Sequence, residues 1–298
     1  MKILLLGKNG QLGWELQRGL APLGELIALA SNSTDYCGDL SQLTDLTKTV
    51  RQIRPDVIVN AAAHTAVDKA ESEPELAHTV NAQAPNLLAQ EAAKLGALLV
   101  HYSTDYVFDG SGETPWLESD TPAPLNVYGQ TKLEGEQSIQ ASGCKHLIFR
   151  TSWVYAARGG NFAKTILRLA QERERLTVIS DQFGAPTGAD LLADVSAHAI
   201  RQVLRRPEDA GLYNLVASGE TSWWAYAQFV LAQAKLLRPD LLIKATEVAP
   251  VPSNAFQTAA KRPHNSRLNT QKLQAVFGLK LPDWQTGVTR MLTETLTP

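Results

Sequence analysis

The stretch Lys2-Ile3-Leu4-Leu5-Leu6-Gly7-Lys8-Asn9-Gly10-Gln11-Leu12-Gly13 opens the chain and decides how the rest is read. The unbroken apolar run from Ile3 to Leu6 suits a strand buried on both faces, and the apolar spacing from Leu12 to Leu20 suits a helix. Between them the glycines fall in the order G-x-x-G-x-x-G. Here the first glycine permits a tight turn and the second lets a pyrophosphate approach the backbone. The third lets helix and strand pack closely, while the first-turn amides of the helix face an anion. A structural turn can carry the same glycines; the strand before and the helix after give the pattern its dinucleotide-binding context. Gly7, Gly10, Gln11, Leu12 and Gly13 are therefore the first candidate cofactor residues.

Outward from this point the chain alternates. Glu25 to Ala30 reads as a second strand, Leu43 to Ile53 as a helix and Val57-Ile58-Val59 as a third strand. Pro74 to Leu95 reads as a helix that tolerates Pro85 only at a kink or in a fresh first turn. Ala97 to Tyr102 is a fourth strand. Continuous apolar strands alternating with helices predict an α/β fold, a doubly wound parallel sheet covered on both faces. Further on, Tyr128 to Ala141 suits a helix and His146 to Arg150 a strand. Helices are expected over Asn161–Glu174, Ala189–Arg205 and Ser222–Ala234, with short strands around Leu176–Ser180 and Gly211–Val216. Prolines at 250, 252, 263 and 282 mark a loop-rich region before a last helix from Trp284. The expected division is a dinucleotide-binding sheet domain over 1–150 and a smaller, interleaved substrate-binding lobe mainly over 151–298, with segments returning to the sheet.

Composition narrows the function classes. The 298 residues hold 28 Lys+Arg against 30 Asp+Glu, a net charge of −2. That lacks the basic excess of a nucleic-acid binder, so no nucleic-acid partner is expected. Cys37 and Cys144 stand far apart and suggest neither a disulfide framework nor a zinc cluster. The Ile3–Leu6 run is too short for a signal-peptide core, and no stretch approaches the roughly 20 apolar residues of a membrane helix. A cytoplasmic protein with no membrane partner is expected.

Two further signals concern chemistry. Cofactor choice is read at the end of the second strand, where an acid would hold a ribose diol and repel a 2′-phosphate. That strand ends Ala28-Leu29-Ala30-Ser31-Asn32, with neither acid nor arginine. Dual use of NADH and NADPH, or a tilt to NADPH through Ser31 and Asn32, follows. Asp39 is spaced to meet an adenine amino group or, equally, to cap the next helix. Tyr128 and Lys132 stand at i and i+4 on one helix face. A phenol of pKa roughly 10 exchanges protons poorly at neutral pH, and a cation held nearby lowers it into a usable acid/base range. Upstream, Ser103-Thr104-Asp105 leaves the carboxyl end of the fourth strand, where open α/β sheets hold ligands. Either hydroxyl, Ser103 or Thr104, is placed to hold a carbonyl oxygen beside the phenol.

Taken in order, the glycine loop, Asn60-Ala61-Ala62-Ala63-His64-Thr65, Ala66-Val67-Asp68-Lys69-Ala70-Glu71, Ser103-Thr104-Asp105-Tyr106-Val107-Phe108 and Tyr128-x-x-x-Lys132 resemble the extended short-chain dehydrogenase/reductase family. So do Phe149 to Tyr155, Asp181 to Thr187 and Arg262-Pro263-x-Asn265-Ser266, so the resemblance spans residues 1 to about 268. Within the family it is nearest to reductases of nucleotide-linked 4-keto sugars, which have a Rossmann fold. The resemblance implies that NADPH or NADH delivers hydride to C4 of dTDP-6-deoxy-L-lyxo-4-hexulose, a dTDP-linked 4-keto sugar, as Tyr128 protonates the C4 oxygen. It implies that Lys132 grips the nicotinamide ribose and that Thr104 bonds the reacting oxygen. Asp105 and Trp153 map onto substrate contacts. Gly10, Gln11, Leu12, Ala30, Asp39, Leu40, Ala63, His64, Thr65 and Tyr102 map onto cofactor contacts. A homodimer with a divalent cation such as Mg2+ near its interface is also implied, with Glu15 and Asp190 as the candidate metal ligands.

Alternatives on the same scaffold are a sugar-nucleotide epimerase or dehydratase, and a non-catalytic nucleotide-binding regulatory subunit. Several residues read blandly. No carboxylate partner for His64 is visible in the sequence, Trp223-Trp224 reads as core and lid, and Arg262 and Lys261 suit either a diphosphate or a solvated loop.

Overall fold

Apolar runs of four to seven residues form the strands, and the longer amphipathic stretches wrap them. The computed structural model describes residues 1–296. Its longer strands are β1 (Lys2–Leu6), β2 (Glu25–Leu29), β3 (Val57–Asn60), β4 (Leu98–Thr104), β5 (Lys145–Thr151), β6 (Arg175–Ile179), β7 (Gly211–Asn214) and β8 (Glu247–Val251). Its helices are α1 (Gln11–Leu20), α2 (Leu43–Ile53), α3 (Val67–Ser72), α4 (Pro74–His78), α5 (Ala84–Leu95), α6 (Val127–Ala141), α7 (Phe162–Glu172), α8 (Ala189–Val203), α9 (Trp223–Leu237), α10 (Gln271–Phe277) and α11 (Trp284–Leu296). Six strands form one sheet in the order β7-β5-β4-β3-β1-β2, and every pairing in it is parallel. This is the doubly wound α/β sheet expected from the alternation.

Both faces of the sheet are covered, which is why its strands read as continuous apolar runs. Ile3 and Leu5 of β1 point into a core shared with Leu16 and Leu20 of α1, Leu192 and Ile200 of α8, and Phe277 of α10. Leu4 and Leu6 point the other way, toward Leu46 and Val50 of α2 and Leu88 of α5. A separate core joins α7, α9 and α11 through Leu167, Tyr226, Val230 and Leu292. Thus α8, β7 and α10, all beyond residue 150, pack on or join the sheet, while α7, α9 and α11 stand apart from it.

Three local departures from the sequence reading have physical causes. Pro74–Leu95 is not one helix: α4 passes through a π-turn at Thr79–Gln83 into α5, whose first turn holds Pro85. A first-turn residue needs no amide partner, so proline is tolerated there. The wide turn aims the buried Asn81 side chain at the His64 backbone, accepting from its N–H at 2.9 Å and donating to its carbonyl at 3.1 Å. The proline-rich region also contains a strand: β8 pairs in parallel with β6 through Pro250. A two-stranded ribbon has two free edges, so a residue without an N–H can sit in it. Finally, β4 runs past Tyr102 to Thr104, carrying Ser103 and Thr104 within the buried strand.

Candidate active site

The crossover reverses direction between β1 and β3, and at their carboxyl ends lies a cavity of about 680 Å³. A crevice at such a switch point is where open α/β sheets hold ligands. One end is walled by Gly7, Gly10, Gln11 and Leu12, with Ala30, Asp39 and Leu40 alongside. Ala63, Thr65 and Tyr102 lie along its length, and the other end holds Thr104, Asp105, Tyr128, Lys132, Trp153 and Trp223.

The glycine-loop end is built from backbone. Gly10 caps α1 in an extended conformation, and among the described residues no side chain caps the helix and no acid lies in its first turn. The first-turn amides and the positive end of the helix dipole therefore face the cavity. Gly7 has φ +89°, and a Cβ on Gly13 would lie 2.0 Å from the Gly7 carbonyl oxygen. Only glycine allows the loop to close on the helix here. Gly13 itself is buried beneath the loop rather than in the cavity wall. Asp39 does not cap α2, whose N-cap is Gln42. Its Oδ1 accepts from the backbone N–H of Ser41 at 2.9 Å and from the Ser41 hydroxyl at 2.8 Å. His64 turns away from the cavity and does have a carboxylate partner, with Nε2 3.2 Å from Glu73 Oε2. That partner comes from the turn between α3 and α4, which the sequence reading did not anticipate.

The other end is built from side chains, Thr104, Asp105 and Lys132 buried and Tyr128, Trp153 and Trp223 half-buried. The Thr104 hydroxyl donates to Asp105 Oδ1 at 3.0 Å and accepts from the Tyr106 backbone N–H at 3.2 Å. Thr104, rather than Ser103, is the hydroxyl that meets the Tyr128 phenol. Burial pushes that phenol up to about 12; the Thr104 hydroxyl works against the rise and the Asp105 carboxylate adds to it. The expected lowering by Lys132 is not what the geometry provides. Lys132 Nζ donates to the Tyr102 carbonyl at 2.6 Å and lies 3.1 Å from His101 Nε2. Burial pushes Lys132 down to about 8, with Glu136 acting in the opposite sense. Burial likewise lifts Asp105 to about 6, restrained by the hydroxyls of Ser266 and Thr104.

Four buried oxygens in this wall have no hydrogen-bond partner among the described residues: Ser103 Oγ, Asp105 Oδ2, Thr151 Oγ1 and Ser152 Oγ. Buried polar atoms are nearly always paired, so such a cluster facing a cavity marks a polar ligand surface. Trp153 holds φ +50°, rare for a bulky residue, and its indole stacks on Trp223 with centroids 3.6 Å apart. Gly184 lies so close that a Cβ there would meet the Trp153 ring at 2.8 Å. A strained backbone beside a cavity is a recurrent mark of a site.

The family profile described as RmlD substrate binding domain matches residues 1–297. The chain belongs to that family. As a member of the RmlD substrate binding domain family, it is 62% identical over 297 residues to a dTDP-4-dehydrorhamnose reductase of Escherichia coli (strain K12), covering 100% of this chain and 99% of the relative. It also resembles the crystal structure of a dTDP-4-dehydrorhamnose reductase from Clostridium acetobutylicum, with a TM-score of 0.88 at 34% identity and 98% of each chain covered. A dTDP-4-dehydrorhamnose reductase from Bacillus anthracis in complex with NADP superposes with a TM-score of 0.87 at 34% identity, 99% of each chain being covered.

In this RmlD-family chain the acids nominated for a metal are engaged elsewhere. Glu15 lies 3.6 Å from Arg18, and Asp190 lies 3.5 Å from Arg290 and accepts from the Leu191 backbone N–H. Among the described residues no group of three or more His, Cys, Asp or Glu is placed to hold a metal ion. Arg262 is also committed, its guanidinium contacting Asp68 at 2.6 and 3.2 Å and thereby tying the late loop to α3. The sequence reading did not connect the side chains of Asn60, His101 and Lys132, although all three residues come from stretches that it quoted. No local spacing links them, because they lie on three different elements. Trp223 was expected as core and lid; its place in the cavity wall becomes visible only with the fold.

Proposed function

We propose that this chain reduces the C4 ketone of dTDP-4-dehydrorhamnose (dTDP-6-deoxy-L-lyxo-4-hexulose) to give dTDP-L-rhamnose, with NADPH or NADH as reductant. One observation carries the reading: a single cavity joins the glycine-loop amides to the Thr104–Tyr128 pair, in a chain 62% identical to a protein of that name. The bound nicotinamide supplies the hydride. The chain's own residues do the rest.

Amides at Gly10 to Gly13 receive the pyrophosphate, and Gly7, Ala30, Asp39, Leu40, Ala63, Thr65 and Tyr102 shape the remaining cofactor wall. His64 braces that wall only indirectly, its ring held by Glu73 and its backbone N–H and carbonyl by Asn81. The absence of an acid at Ala30-Ser31, together with the NADP complex of the Bacillus anthracis relative, favours NADPH. Tyr128 acts as the acid. A phenol held up at about 12 keeps its proton at neutral pH, the form that a ketone reduction requires of its donor. Thr104 bonds the C4 oxygen beside that phenol, and Lys132 reaches the nicotinamide ribose. Asp105 and Trp153 meet the sugar. Residues 1–150 form the dinucleotide domain and 151–298 mainly the substrate lobe. No step is assigned to Mg2+. A cytoplasmic location and a homodimer complete the proposal. The homodimer is supported by the family resemblance; the location by that resemblance and by the lack, among the described residues, of a helix long and apolar enough to cross a membrane.

The test is oxidation of NADPH and NADH, followed optically, against a panel of nucleotide-linked 4-keto sugars. One reduced nicotinamide consumed per dTDP-4-dehydrorhamnose supports the reading. An epimerase would show no net oxidation, and a regulatory subunit would bind NADPH without turnover of any dTDP-keto sugar.

A further inference from the structure

We infer that His101 is a positioning residue that donates a hydrogen bond from Nε2 to Lys132 Nζ, so that Lys132 stands as the free amine until an anionic dinucleotide draws a proton onto it. The second half of this statement rests on the dinucleotide reading above; the first half does not.

Donors and acceptors alternate along a chain of contacts that runs from the partly buried Ala62 to the fully buried Lys132. It starts at the backbone N–H of Ala62, which lies 3.2 Å from Asn60 Oδ1. A backbone N–H can only donate, so the amide atom facing it must be the oxygen. That fixes the Asn60 side chain and leaves its NH2 group 3.2 Å from His101 Nδ1. The NH2 group donates, so Nδ1 must present a lone pair. His101 is 1% exposed, and burial holds its pKa well below the ordinary imidazole value. The ring is therefore neutral and its one proton sits on Nε2.

Nε2 lies 3.1 Å from Lys132 Nζ. An ammonium has three donors and no lone pair, so it would set donor against donor in a fully buried place. An amine satisfies both of its neighbours, accepting from His101 Nε2–H and donating to the Tyr102 carbonyl at 2.6 Å. The reverse assignment fails at the next link. If Lys132 donated to Nε2, then Nδ1–H would face the Asn60 NH2 group. Turning the amide would only move the clash to Ala62. Either alternative sets two donors face to face, fully buried between Asn60 and His101 or partly buried at Ala62.

The charged groups around Lys132 are already engaged. Glu136, one turn along α6, receives Arg150 Nε at 3.0 and 3.2 Å and Nη2 at 2.7 Å. Asp105 receives the Thr104 hydroxyl, and Tyr128 is a high-pKa phenol. From the elements packed against α6, Glu71 accepts from the Val127 N–H, His78 lies 3.3 Å from Glu134, and Glu91 is paired with Arg51 and Lys94. Burial moves Lys132 in the same direction, down to about 8, so the amine is the majority form at about pH 8.5.

Binding an anionic dinucleotide then takes one proton from solvent onto Nζ. The new ammonium cannot keep its bond with Nε2–H, so it turns from His101 toward the cavity that Lys132 already lines. Above about pH 8, on this account, the lysine gains its charge as the dinucleotide arrives beside Tyr128.

Long-range proton–nitrogen correlation spectra of the full chain labelled at histidine test the first half, with His101 assigned among 6 histidines by its loss in His101→Gln. The expected spectrum shows a pyridine-like Nδ1 and a pyrrole-like Nε2. The opposite tautomer, or an imidazolium, overturns the inference. Calorimetry of NADPH binding at about pH 8.5, in buffers of different ionisation enthalpy, tests the second half. Wild type should take up roughly half a proton or more; no uptake overturns it. Asn60→Asp keeps the acceptor for Ala62 but presents a second acceptor to Nδ1. That variant should invert the tautomer and abolish the uptake, and retention of both wild-type results overturns the inference. Should it fail to fold, the two wild-type measurements still decide. A chain that binds no NADPH refutes the dinucleotide reading, while the ring spectrum settles the hydrogen-bond assignment independently.

Discussion

At the glycine-loop end of the cavity the anion-facing groups are backbone amides of one contiguous stretch, Gly7 to Gly13. At the Tyr128 end they are side chains brought from β3, β4, β5 and α6, nearly all buried. The loop end depends on the absence of side chains and tolerates change wherever a Cβ has room. The Tyr128 end depends on which atom carries each proton, and burial moves Tyr128, Lys132 and Asp105 all toward their neutral forms. One end offers fixed partial charges. The other holds groups poised to change charge, which is what proton transfer to a ketone requires.

Breaking the second end at its foundation should have the largest effect. Glu136→Ala would leave the Arg150 guanidinium buried, 3% exposed, with its carboxylate gone. Stability should fall by about 3–5 kcal/mol, seen in denaturant or thermal unfolding. A loss within about 1 kcal/mol would show that Arg150 finds another partner.

Asp105 sharpens the comparison through pH. Its carboxyl is raised from 3.8 to about 6 by burial. Between those values the native chain binds a proton that the unfolded chain has released, so this group's contribution makes stability fall as pH rises through that window. The effect amounts to at most about 3 kcal/mol. Unfolding free energies of wild type and Asp105→Asn, measured from about pH 4 to pH 6.5, should differ in slope. Parallel curves would place Asp105 in a more polar setting than the cavity wall.

At the loop end, Gly13→Ala puts a Cβ 2.0 Å from the Gly7 oxygen, a backbone atom with nowhere to go. The expected cost is about 1–3 kcal/mol in stability with weakened NADPH binding by titration. Unchanged values for both would mean that the loop does not close on α1 as described. Smallest should be Arg262→Ala, which frees the late loop from Asp68. Both partners are partly exposed, so stability should move by less than about 1 kcal/mol in a thermal melt. A larger loss would make the late loop part of the folding core.

The same contrast explains what could be read in the sequence. The glycine loop, the strand–helix alternation and the Tyr128–Lys132 spacing are local, because the periods of strand and helix fix which residues share a face. The Asn60–His101–Lys132 chain is not local: its members are 41 and 31 residues apart and meet only because β3 and β4 are neighbours beneath α6. The His64–Glu73 contact depends on the turn between two short helices, and the Trp153–Trp223 stack depends on a backbone conformation rare for tryptophan. Strand β8 was hidden by Pro250, which reads as a breaker unless the ribbon is known to have free edges. Spacing likewise placed Lys132 near Tyr128 but did not reveal that His101 and the Tyr102 carbonyl claim its amine.

The central claim is that the Tyr128 phenol supplies the proton for ketone reduction. The most direct test is Tyr128→Phe, assayed by NADPH oxidation with dTDP-4-dehydrorhamnose and by NADPH titration of the same preparation. The account predicts a fall in kcat of about 10²–10⁴-fold with NADPH affinity essentially unchanged. Turnover at the wild-type rate would contradict it.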